Sequence, residues 1–235
     1  MPPSDPGKPD ATLASAGAKG SIGAPSLVDR LDALYAAVVS DELDRLGRRN
    51  QVMRPHIRPL YPEARVAGTA FPVLAVPAYS LPDEPYKMEL EAVDALRPGD
   101  VMVVSTIEGS FWGELLSTAA RHRGARGIVV DGYTRDAQAI MTMGYPTFTR
   151  GIHMADSLGR LEVSAYGVPI QCGGVEVRPG DLVLADYDGV VVVPQECAEE
   201  AIARAEEKLR GENLVRKHLQ EGMPVTEAFR RFGIM

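Results

Sequence analysis

The spacing of apolar residues along the chain alternates between the helical and the extended period. Apolar residues recur at helical spacing over 27–38, and Ser40 is placed to cap a second short helix. The run RVAGTAFPVLAV, residues 65–76, predicts a strand in which Pro72 indicates an edge or a bulge. After residue 97 the pattern reads strand, loop and helix twice over, which is typical of parallel strands joined by helical crossovers.

Two turns of identical sequence introduce further strands. RPGD stands at 97–100 and again at 178–181, and each copy precedes an apolar run. Pro-Gly at the centre predicts a type II turn, in which the glycine takes a positive φ. DYDG, residues 186–189, lies between two apolar runs and predicts a hairpin, and a long amphipathic helix is expected from about Glu196. The predicted class is α/β, with helices packed on mixed sheets.

Composition favours one folded domain behind a flexible arm. Residues 1–26 are rich in Pro, Gly, Ala and Ser and contain no periodic apolar set, so we expect a flexible N-terminal arm. Residues 27–235 are long enough to bury the core of a single domain that ends in a helical extension. The chain is 45% hydrophobic and 24% charged, as is usual for a globular protein.

Charge, cysteines and hydropathy argue against several classes of function. The net charge is −7 and no dense Lys/Arg block is present, so nucleic acid is not expected as a partner. Cys172 and Cys197 are far apart and have no neighbouring metal ligand, which indicates buried neutral thiols. No apolar run reaches about 18 residues and the N-terminus lacks a signal-peptide pattern, so we expect a cytoplasmic protein without a membrane partner.

Two helix starts carry the candidate chemistry. If both follow parallel strands, they meet at one edge of a sheet, where open α/β sheets usually bind ligands. At the first start, Gly113 lets the backbone turn closely, and the amides of Glu114, Leu115 and Leu116 would form a cradle for an anion. At the second, Thr134 is a candidate cap.

Arg135 and Asp136 stand side by side at this second helix start. Arg135 offers a planar fork to a carboxylate, and the helix dipole favours the ionised form of Asp136. An ionised Asp beside a bound carboxylate would repel it unless a cation lies between them, which suggests a metal ion. One carboxylate with water and substrate oxygens suits Mg²⁺ or Mn²⁺, and such an ion could stabilise the enolate of a 2-oxo acid.

Structural explanations exist for each of these residues taken alone. An Asp in a first helical turn is often a dipole partner, and Leu115, Leu116 and Trp112 are typical of a buried helix face and core. A second metal site at His153 and Asp156 is weaker, because these two have only helix-like spacing. No GxGxxG or Walker sequence is present, so no nucleotide cofactor is expected, and the absence of G-x-S-x-G argues against a hydrolase triad. The lysines lie outside both helix starts, which argues against Schiff-base chemistry at this site.

From about Val28 onward the sequence resembles the family that unites 4-hydroxy-4-methyl-2-oxoglutarate aldolases with regulators of ribonuclease activity A. The matching stretches, in chain order, are VVSDELDRLG, RPGDVMVV, WGELLSTAA, RGIVVDGYTRD and CGGVEVRPGDLVLADYDGVVVVP. The resemblance implies a swivelling β/β/α fold assembled as a ring-shaped trimer or a hexamer. It also implies that Gly113 to Leu116 bind substrate through backbone amides, that Arg135 holds the pyruvyl unit and that Asp136 ligates Mg²⁺ or another divalent ion.

The aldolase branch would give a metal-dependent carbon–carbon lyase. It cleaves 4-hydroxy-4-methyl-2-oxoglutarate or 4-carboxy-4-hydroxy-2-oxoadipate to pyruvate and a second keto acid, with oxaloacetate decarboxylation as a side activity. The regulator branch resembles this chain less, because it replaces the metal-binding Asp. A non-catalytic, ribonuclease-binding regulator and a lyase for a sugar-derived keto acid are the alternatives, the latter consistent with the polar HMADS, residues 153–157.

Two features of the C-terminal region stay open at this stage. The general base is unassigned, and Glu206, Glu207 and Glu212 of a neighbouring subunit are candidates on position only, since a solvated charged face explains most such residues. The tail VTEAFRRFGIM, residues 225–235, is apolar enough to dock against its own or a neighbouring subunit.

Overall fold

The computed structural model describes residues 25–105 and 107–234. The predicted arm, residues 1–26, therefore lies outside the described residues except for Pro25 and Ser26. The helices are α1 (Leu27–Asp32), α2 (Ala36–Arg45), α3 (Lys87–Asp94), α4 (Glu114–His122), α5 (Ala137–Met143), α6 (Ala198–Gln220) and α7 (Val225–Phe232), with a 3-10 turn at Gln195–Cys197. The strands are β1 (Arg58–Pro59), β2 (Val66–Pro77), β3 (Asp100–Val104), β4 (Ser110–Trp112), β5 (Gly127–Thr134), β6 (Thr147–Ile152), β7 (Leu161–Tyr166), β8 (Ile170–Cys172), β9 (Val175–Val177), β10 (Leu182–Asp186) and β11 (Gly189–Val193).

Nine of these strands form one mixed sheet, which confirms the predicted α/β class. The order is β1-β6-β5-β3-β2-β10-β11, with β4 added to β5 and β7 added to β2. Neighbouring strands from β2 to β6 are parallel, and β10, β11, β7 and β1 are antiparallel to their partners. The parallel part is built from strand–helix units, because parallel neighbours need a crossover connection.

The sheet is buried on both faces, and successive residues of a strand point into different cores. On β3, Met102 and Val104 join a cluster with α3, α4 and α5, whereas Val101 and Val103 join a second cluster. A third cluster packs α1, α2 and α6 against β10 and β11. Because both faces of β3 are buried, its residues Val101 to Val104 form a continuous apolar run instead of an alternating one.

Residues 52–59 bring the two edges of the sheet together. Val52 forms a single antiparallel bridge to Val191 on β11, while β1 pairs with β6 at the other edge. The sheet therefore curls into a nearly closed barrel, as a twisted sheet of this size tends to do. The helices α3, α4 and α5 lie outside it, and this places their ends beside the ends of the strands.

Pro72 was predicted to mark an edge or a bulge, and it lies instead in the middle of a central strand. On one side β2 pairs with β3 from Thr69 to Val73. On the other side β2 pairs with β10 up to Thr69 and with β7 from Val73 onward, so Pro72 falls where the neighbouring strand changes. A residue without an N–H is tolerated there because no ladder partner needs one. The register shift that was expected nearby lies between Leu74 and Ala75.

The repeated RPGD turns have the predicted geometry in both copies. Gly99 and Gly180 have φ values of 93° and 91°. In each turn the Asp N–H donates to the Arg carbonyl at 3.1 Å, and the Arg N–H donates back to the Asp carboxylate at 2.8 Å. The hairpin predicted at DYDG is also confirmed, because β10 and β11 are joined by a two-residue turn.

Some helix boundaries differ from the predictions. Ser40 lies inside α2, which begins at Ala36, where the backbone N–H of Ala36 donates to Asp186 Oδ2 at 2.7 Å. The tail helix α7 packs on α6 of its own chain: Ala228 is buried, and the rings of His218 and Phe232 stack at 5.2 Å.

In the described part of the chain, no helix has the length and apolarity to span a membrane. Of the two cysteines, Cys172 is buried, as predicted, whereas Cys197 is partly exposed.

Candidate active site

A pocket opens where the two predicted helix starts meet. Strands β4 and β5 are parallel neighbours, so α4 and α5 begin at the same edge of the sheet. The cavity has a volume of about 310 Å³. The residues that line it are Tyr86, Glu89, Leu90, Ser110, Phe111, Trp112, Gly113, Leu115, Leu116, Arg135, Asp136, Asp156 and Ser157. Trp112 is fully buried and stacks on Tyr145, as expected of a core residue.

Gly113 is a glycine because the Asp136 carboxylate lies against it. A Cβ added at Gly113 would stand 2.8 Å from Asp136 Oδ2, closer than real Cβ contacts come. The N–H of Glu114 donates to the same oxygen at 3.1 Å. One of the amides predicted to receive a substrate anion is thus engaged by Asp136 in this structure. The Leu115 side chain is 78% exposed, which corrects the reading of Leu115 as part of a buried helix face, and Leu116 is partly buried.

Asp136 has a strained backbone that capping of its own helix does not explain. It precedes α5, which begins at Ala137, with φ 55° and ψ 29°, and its side chain makes no capping hydrogen bond. A left-handed conformation is costly for most residues and moderately tolerated by Asp. Thr134 does not cap α5 as predicted: its hydroxyl donates to the carbonyl of Trp112 at 2.9 Å, which ties the end of β5 to β4. The strain therefore serves to aim the Asp136 carboxylate at the start of α4.

Arg135 lies between two carboxylates. Its Nε is 3.9 Å from Asp136 Oδ2, and its Nη1 is 3.2 Å from Asp156 Oδ1. Asp156 also accepts hydrogen bonds from the Tyr86 hydroxyl and, at 2.9 Å, from the N–H of Ser157. The guanidinium thus holds Asp136 on one side and a fixed acidic group on the other, and its side chain stays 40% exposed towards the pocket.

Tyr86, which immediately precedes α3, and Glu89 of α3 lie behind Asp156. Tyr86 has φ 59°, and together with Asp136 it completes the set of non-glycine residues with positive φ in the described chain. Both line this pocket, and such strain clusters at functional sites. The hydrogen bond to Asp156 raises the pKa of Tyr86. Burial raises the pKa of Glu89 to about 7, although a hydrogen bond from the Ser157 hydroxyl opposes the shift.

His153 and Asp156, the weaker candidate pair for a second metal, have different contacts in the structure. The ring of His153 lies 5.8 Å from that of Tyr133, and its Nδ1 accepts from the N–H of Ala155 at 3.2 Å. Within residues 25–105 and 107–234, no group of three or more His, Cys, Asp or Glu side chains is arranged to hold a metal ion. Asp136 alone offers one half-exposed carboxylate. Such a donor set suits a hydrated divalent ion that takes its other ligands from water and substrate.

The acidic residues suggested on α6 lie away from this pocket within one chain. Glu206 pairs with Arg30 at 2.9 Å, which lowers the pKa of Glu206. Glu212 accepts from the Tyr35 hydroxyl and lies 3.7 Å from Lys208 Nζ, and Glu207 is exposed. Their contribution from a neighbouring subunit stays a prediction.

Sequence patterns did not indicate Tyr86 or Glu89, and they paired Asp156 with His153, whereas the structure pairs it with Arg135 and Tyr86. Tyr86 and Glu89 belong to the unremarkable helix sequence of α3, and only the packing of α3 beside β7 brings them to the pocket. A buried acidic residue at an amphipathic helix position, such as Glu89, is the one signal that the sequence offered.

Comparison with known proteins identifies the family. A family model described as RraA-like, with the words Aldolase/RraA, matches residues 36–192, which include both helix starts.

The chain belongs to this RraA-like family.

Relatives within the family carry different names. A protein from Halalkalibacterium halodurans, named "Putative 4-hydroxy-4-methyl-2-oxoglutarate aldolase", is 30% identical over 81% of this chain and 87% of its own length. Protein DlpA of Legionella pneumophila is 28% identical over 76% of this chain, and the match spans only 29% of DlpA.

Solved structures confirm the fold that the resemblance implied. An uncharacterized protein from Pseudomonas syringae superimposes with a TM-score of 0.79 at 30% identity, covering 88% of this chain and 93% of its own. Streptomyces coelicolor RraAS2, described as an unusual member of the RNase ES inhibitor RraA protein family, has a TM-score of 0.73 at 32% identity and covers 82% of this chain and 97% of its own. RraA-like proteins therefore include both aldolase and regulator names.

Proposed function

We propose that this RraA-like protein is a divalent-metal-dependent carbon–carbon lyase that releases pyruvate from 4-hydroxy-2-oxo acids. The observation that carries the proposal is the meeting of two helix starts around one carboxylate. Asp136 is held in a left-handed conformation against a glycine that leaves room for it, with Arg135 beside it. Capping of its own helix does not explain this strain, because the Asp136 side chain makes no hydrogen bond to α5 and instead accepts from the Glu114 N–H at the start of α4.

Each residue of the site has a role in retro-aldol cleavage. The free amides at the start of α4 and the Arg135 guanidinium would hold the 2-oxo acid end of the substrate. Asp136 would ligate a divalent ion, which supplies charge stabilisation for the 2-oxo oxygen. A base removes the proton of the C4 hydroxyl, the C3–C4 bond breaks, and its electron pair moves to the C2 oxygen as an enolate. Protonation at C3 then gives pyruvate, and the other half leaves as a carbonyl compound.

The name of the Halalkalibacterium halodurans relative and the family resemblance together suggest the first substrates to assay. These are 4-hydroxy-4-methyl-2-oxoglutarate and 4-carboxy-4-hydroxy-2-oxoadipate, which yield pyruvate and a second keto acid. Oxaloacetate should be decarboxylated at the same site, because loss of CO₂ from C3 leaves the same enolate. Magnesium and manganese are the metals to supply.

The test couples pyruvate release to a dehydrogenase, with Mg²⁺ or with a chelator. We expect release that requires the metal and that falls by about 10³-fold or more in Asp136→Ala and Arg135→Ala, since each removes charge stabilisation at the reacting atoms. Asp188→Ala, which removes an exposed acid from the β10–β11 turn, is the matched control and should keep full activity. Metal-independent release, or full activity in Asp136→Ala, would refute the proposal.

A regulator role is the second candidate, because RraAS2 of Streptomyces coelicolor is a member of an RNase inhibitor family. Its discriminating measurement is binding to RNase ES by sedimentation velocity. Binding that is unchanged in Asp136→Ala, in a protein that releases no pyruvate, would favour the regulator over the lyase.

A further inference from the structure

Charge is distributed unevenly around the pocket. Among the described residues that line it, Arg135 is the single cationic side chain, and Asp136, Asp156 and Glu89 are the acidic ones. Asp136 is committed to the metal in the proposed function. The far side of Arg135 is therefore acidic: Asp156 contacts Nη1 at 3.2 Å, whereas Asp136 lies nearest to Nε.

Asp156 is a built part of this wall and not a loose surface acid. Its two carboxylate oxygens are held by the Tyr86 hydroxyl, the N–H of Ser157 and Arg135. Tyr86 reaches it from a left-handed backbone conformation at the start of α3. Behind it, the hydroxyl of Ser157 donates to Glu89 at 3.2 Å. A substrate cannot displace Asp156 without breaking several of these hydrogen bonds.

A second substrate carboxylate is poorly matched to this wall. Two like charges about 4 Å apart repel each other, and the repulsion is several times stronger in a partly buried site than in water. A substrate hydroxyl, in contrast, can donate to Asp156 and gain a charge-assisted hydrogen bond. The pocket has one guanidinium for the 2-oxo acid end and no described cation left for a carboxylate at the other end.

We propose that Asp156 determines substrate specificity, selecting 4-hydroxy-2-oxo acids that end in hydroxyl groups over those that end in a second carboxylate. The inference rests on the proposed function and deepens it by naming a sugar-acid-like substrate class. The preferred substrate of this chain would then differ from 4-hydroxy-4-methyl-2-oxoglutarate, the dicarboxylate in the name of its relative from Halalkalibacterium halodurans.

The turnover test uses two substrates that differ at one carbon. 4,5-Dihydroxy-2-oxopentanoate and 4-hydroxy-2-oxoglutarate have the same length and the same C4 hydroxyl, and C5 is a CH₂OH group in one and a carboxylate in the other. Retro-aldol cleavage gives pyruvate from both, with glycolaldehyde or glyoxylate as the second product. We expect the wild-type kcat/KM to favour the dihydroxy compound by about tenfold or more, mostly through KM.

Asp156→Asn should shift this ratio by about tenfold towards the dicarboxylate, because the amide keeps the shape and loses the charge. Glu91→Gln removes an exposed negative charge from the same helix as Glu89 and should leave the ratio unchanged. A wild type that prefers the dicarboxylate, or a ratio that Asp156→Asn does not change, would overturn the assignment. A change of thermal midpoint alone, without a change of ratio, would do the same.

A binding measurement distinguishes failure of this inference from failure of the proposed function. The probes are 2-oxoglutarate and 2-oxopentanoate, which have no C4 hydroxyl and cannot undergo retro-aldol cleavage. Calorimetric titration with Mg²⁺ should show weaker binding of 2-oxoglutarate to wild type and a selective gain in Asp156→Asn. That pattern supports the specificity role even if no pyruvate is released from any substrate. Equal affinities in both proteins, or no binding of either probe, count against it.

Discussion

At the residue scale, Gly113 is the position where the smallest change should have the largest effect. In Gly113→Ala the new methyl group would push on the Asp136 carboxylate, which lies 2.8 Å from the Cβ position. The backbone itself accepts alanine, because φ is −151°. We expect a fall of about 10²-fold in kcat/KM for pyruvate release, since a misplacement of about 1 Å can cost that much, with little loss of stability. His122→Ala, at the exposed last residue of the same helix, α4, is the control for general damage.

Glu89 gives a pH dependence whose sign follows from its burial. Its pKa of about 7 in the folded protein exceeds the ordinary value of 4.5, so the folded state keeps a proton that the unfolded state has lost between these values. The free energy of unfolding therefore falls as pH rises through this window. Compared with Glu89→Gln, wild type should lose roughly 2 to 3 kcal/mol between about pH 5 and about pH 8. Urea titrations of both proteins measure the difference, and parallel pH profiles would contradict it.

The residues of the site were predictable from sequence only where they lie at the start of a helix that follows a strand. Gly113, Arg135 and Asp136 stand in short motifs next to apolar runs, so strand–helix geometry alone brings them together. Tyr86, Glu89 and Asp156 come from α3 and from the β6–β7 connection, and their meeting depends on which strand β7 pairs with. The left-handed conformation of Asp136 was likewise hidden, because the sequence suggested a regular helix start at Arg135.

At the scale of elements, the RPGD turns set the register of β3 and β10. Gly99 has φ 93°, and no atom lies within 4 Å of the Cβ position that a substitution would fill, so only backbone strain opposes a side chain. Gly99→Ala should lower the free energy of unfolding by about 1 to 2 kcal/mol. Gly99→Asn should cost less, because asparagine tolerates a positive φ. Equal urea midpoints for Gly99→Ala and wild type would show that the turn conformation does not limit stability.

Element boundaries were harder to predict than element types. The turns, the hairpin and most strands follow from local patterns, as the paired hydrogen bonds of the two RPGD turns show. Ser40 has the chemistry of a cap but lies inside α2, because the apolar face of that helix already begins before it and packs into the third core cluster. Packing here overrides a capping preference of about 1 kcal/mol.

At the scale of the whole molecule, near-closure of the sheet was not visible in the sequence. It depends on Val52 reaching β11 while β1 pairs with β6, and both contacts join residues far apart in the chain. Each involves only one or two residue pairs, too few to leave a periodic pattern. The helices that cover the parallel strands were predictable, because every parallel pair needs a crossover connection.

The surface beside the pocket argues for assembly. Leu115, Ile152 and Met154 are 78%, 63% and 90% exposed. Leu115 lines the pocket, Ile152 pairs with Thr134 next to Arg135, and Met154 lies two residues before Asp156. Large exposed apolar side chains that lie together are typical of a protein interface. We expect the 25.3 kDa chain to sediment as a trimer or a hexamer.

Ile152→Asp tests whether these side chains are covered by a second copy of the chain. Ile152 ends β6 next to Thr134, so a buried charge there would oppose association without disturbing the core of one subunit. We expect sedimentation velocity to show a smaller species and pyruvate release to fall with it, because a base supplied by a neighbouring subunit would be lost. Tyr187→Asp, on the exposed tip of the β10–β11 hairpin, should keep the wild-type assembly. A monomeric wild type with full activity would instead place every group needed for catalysis in one chain.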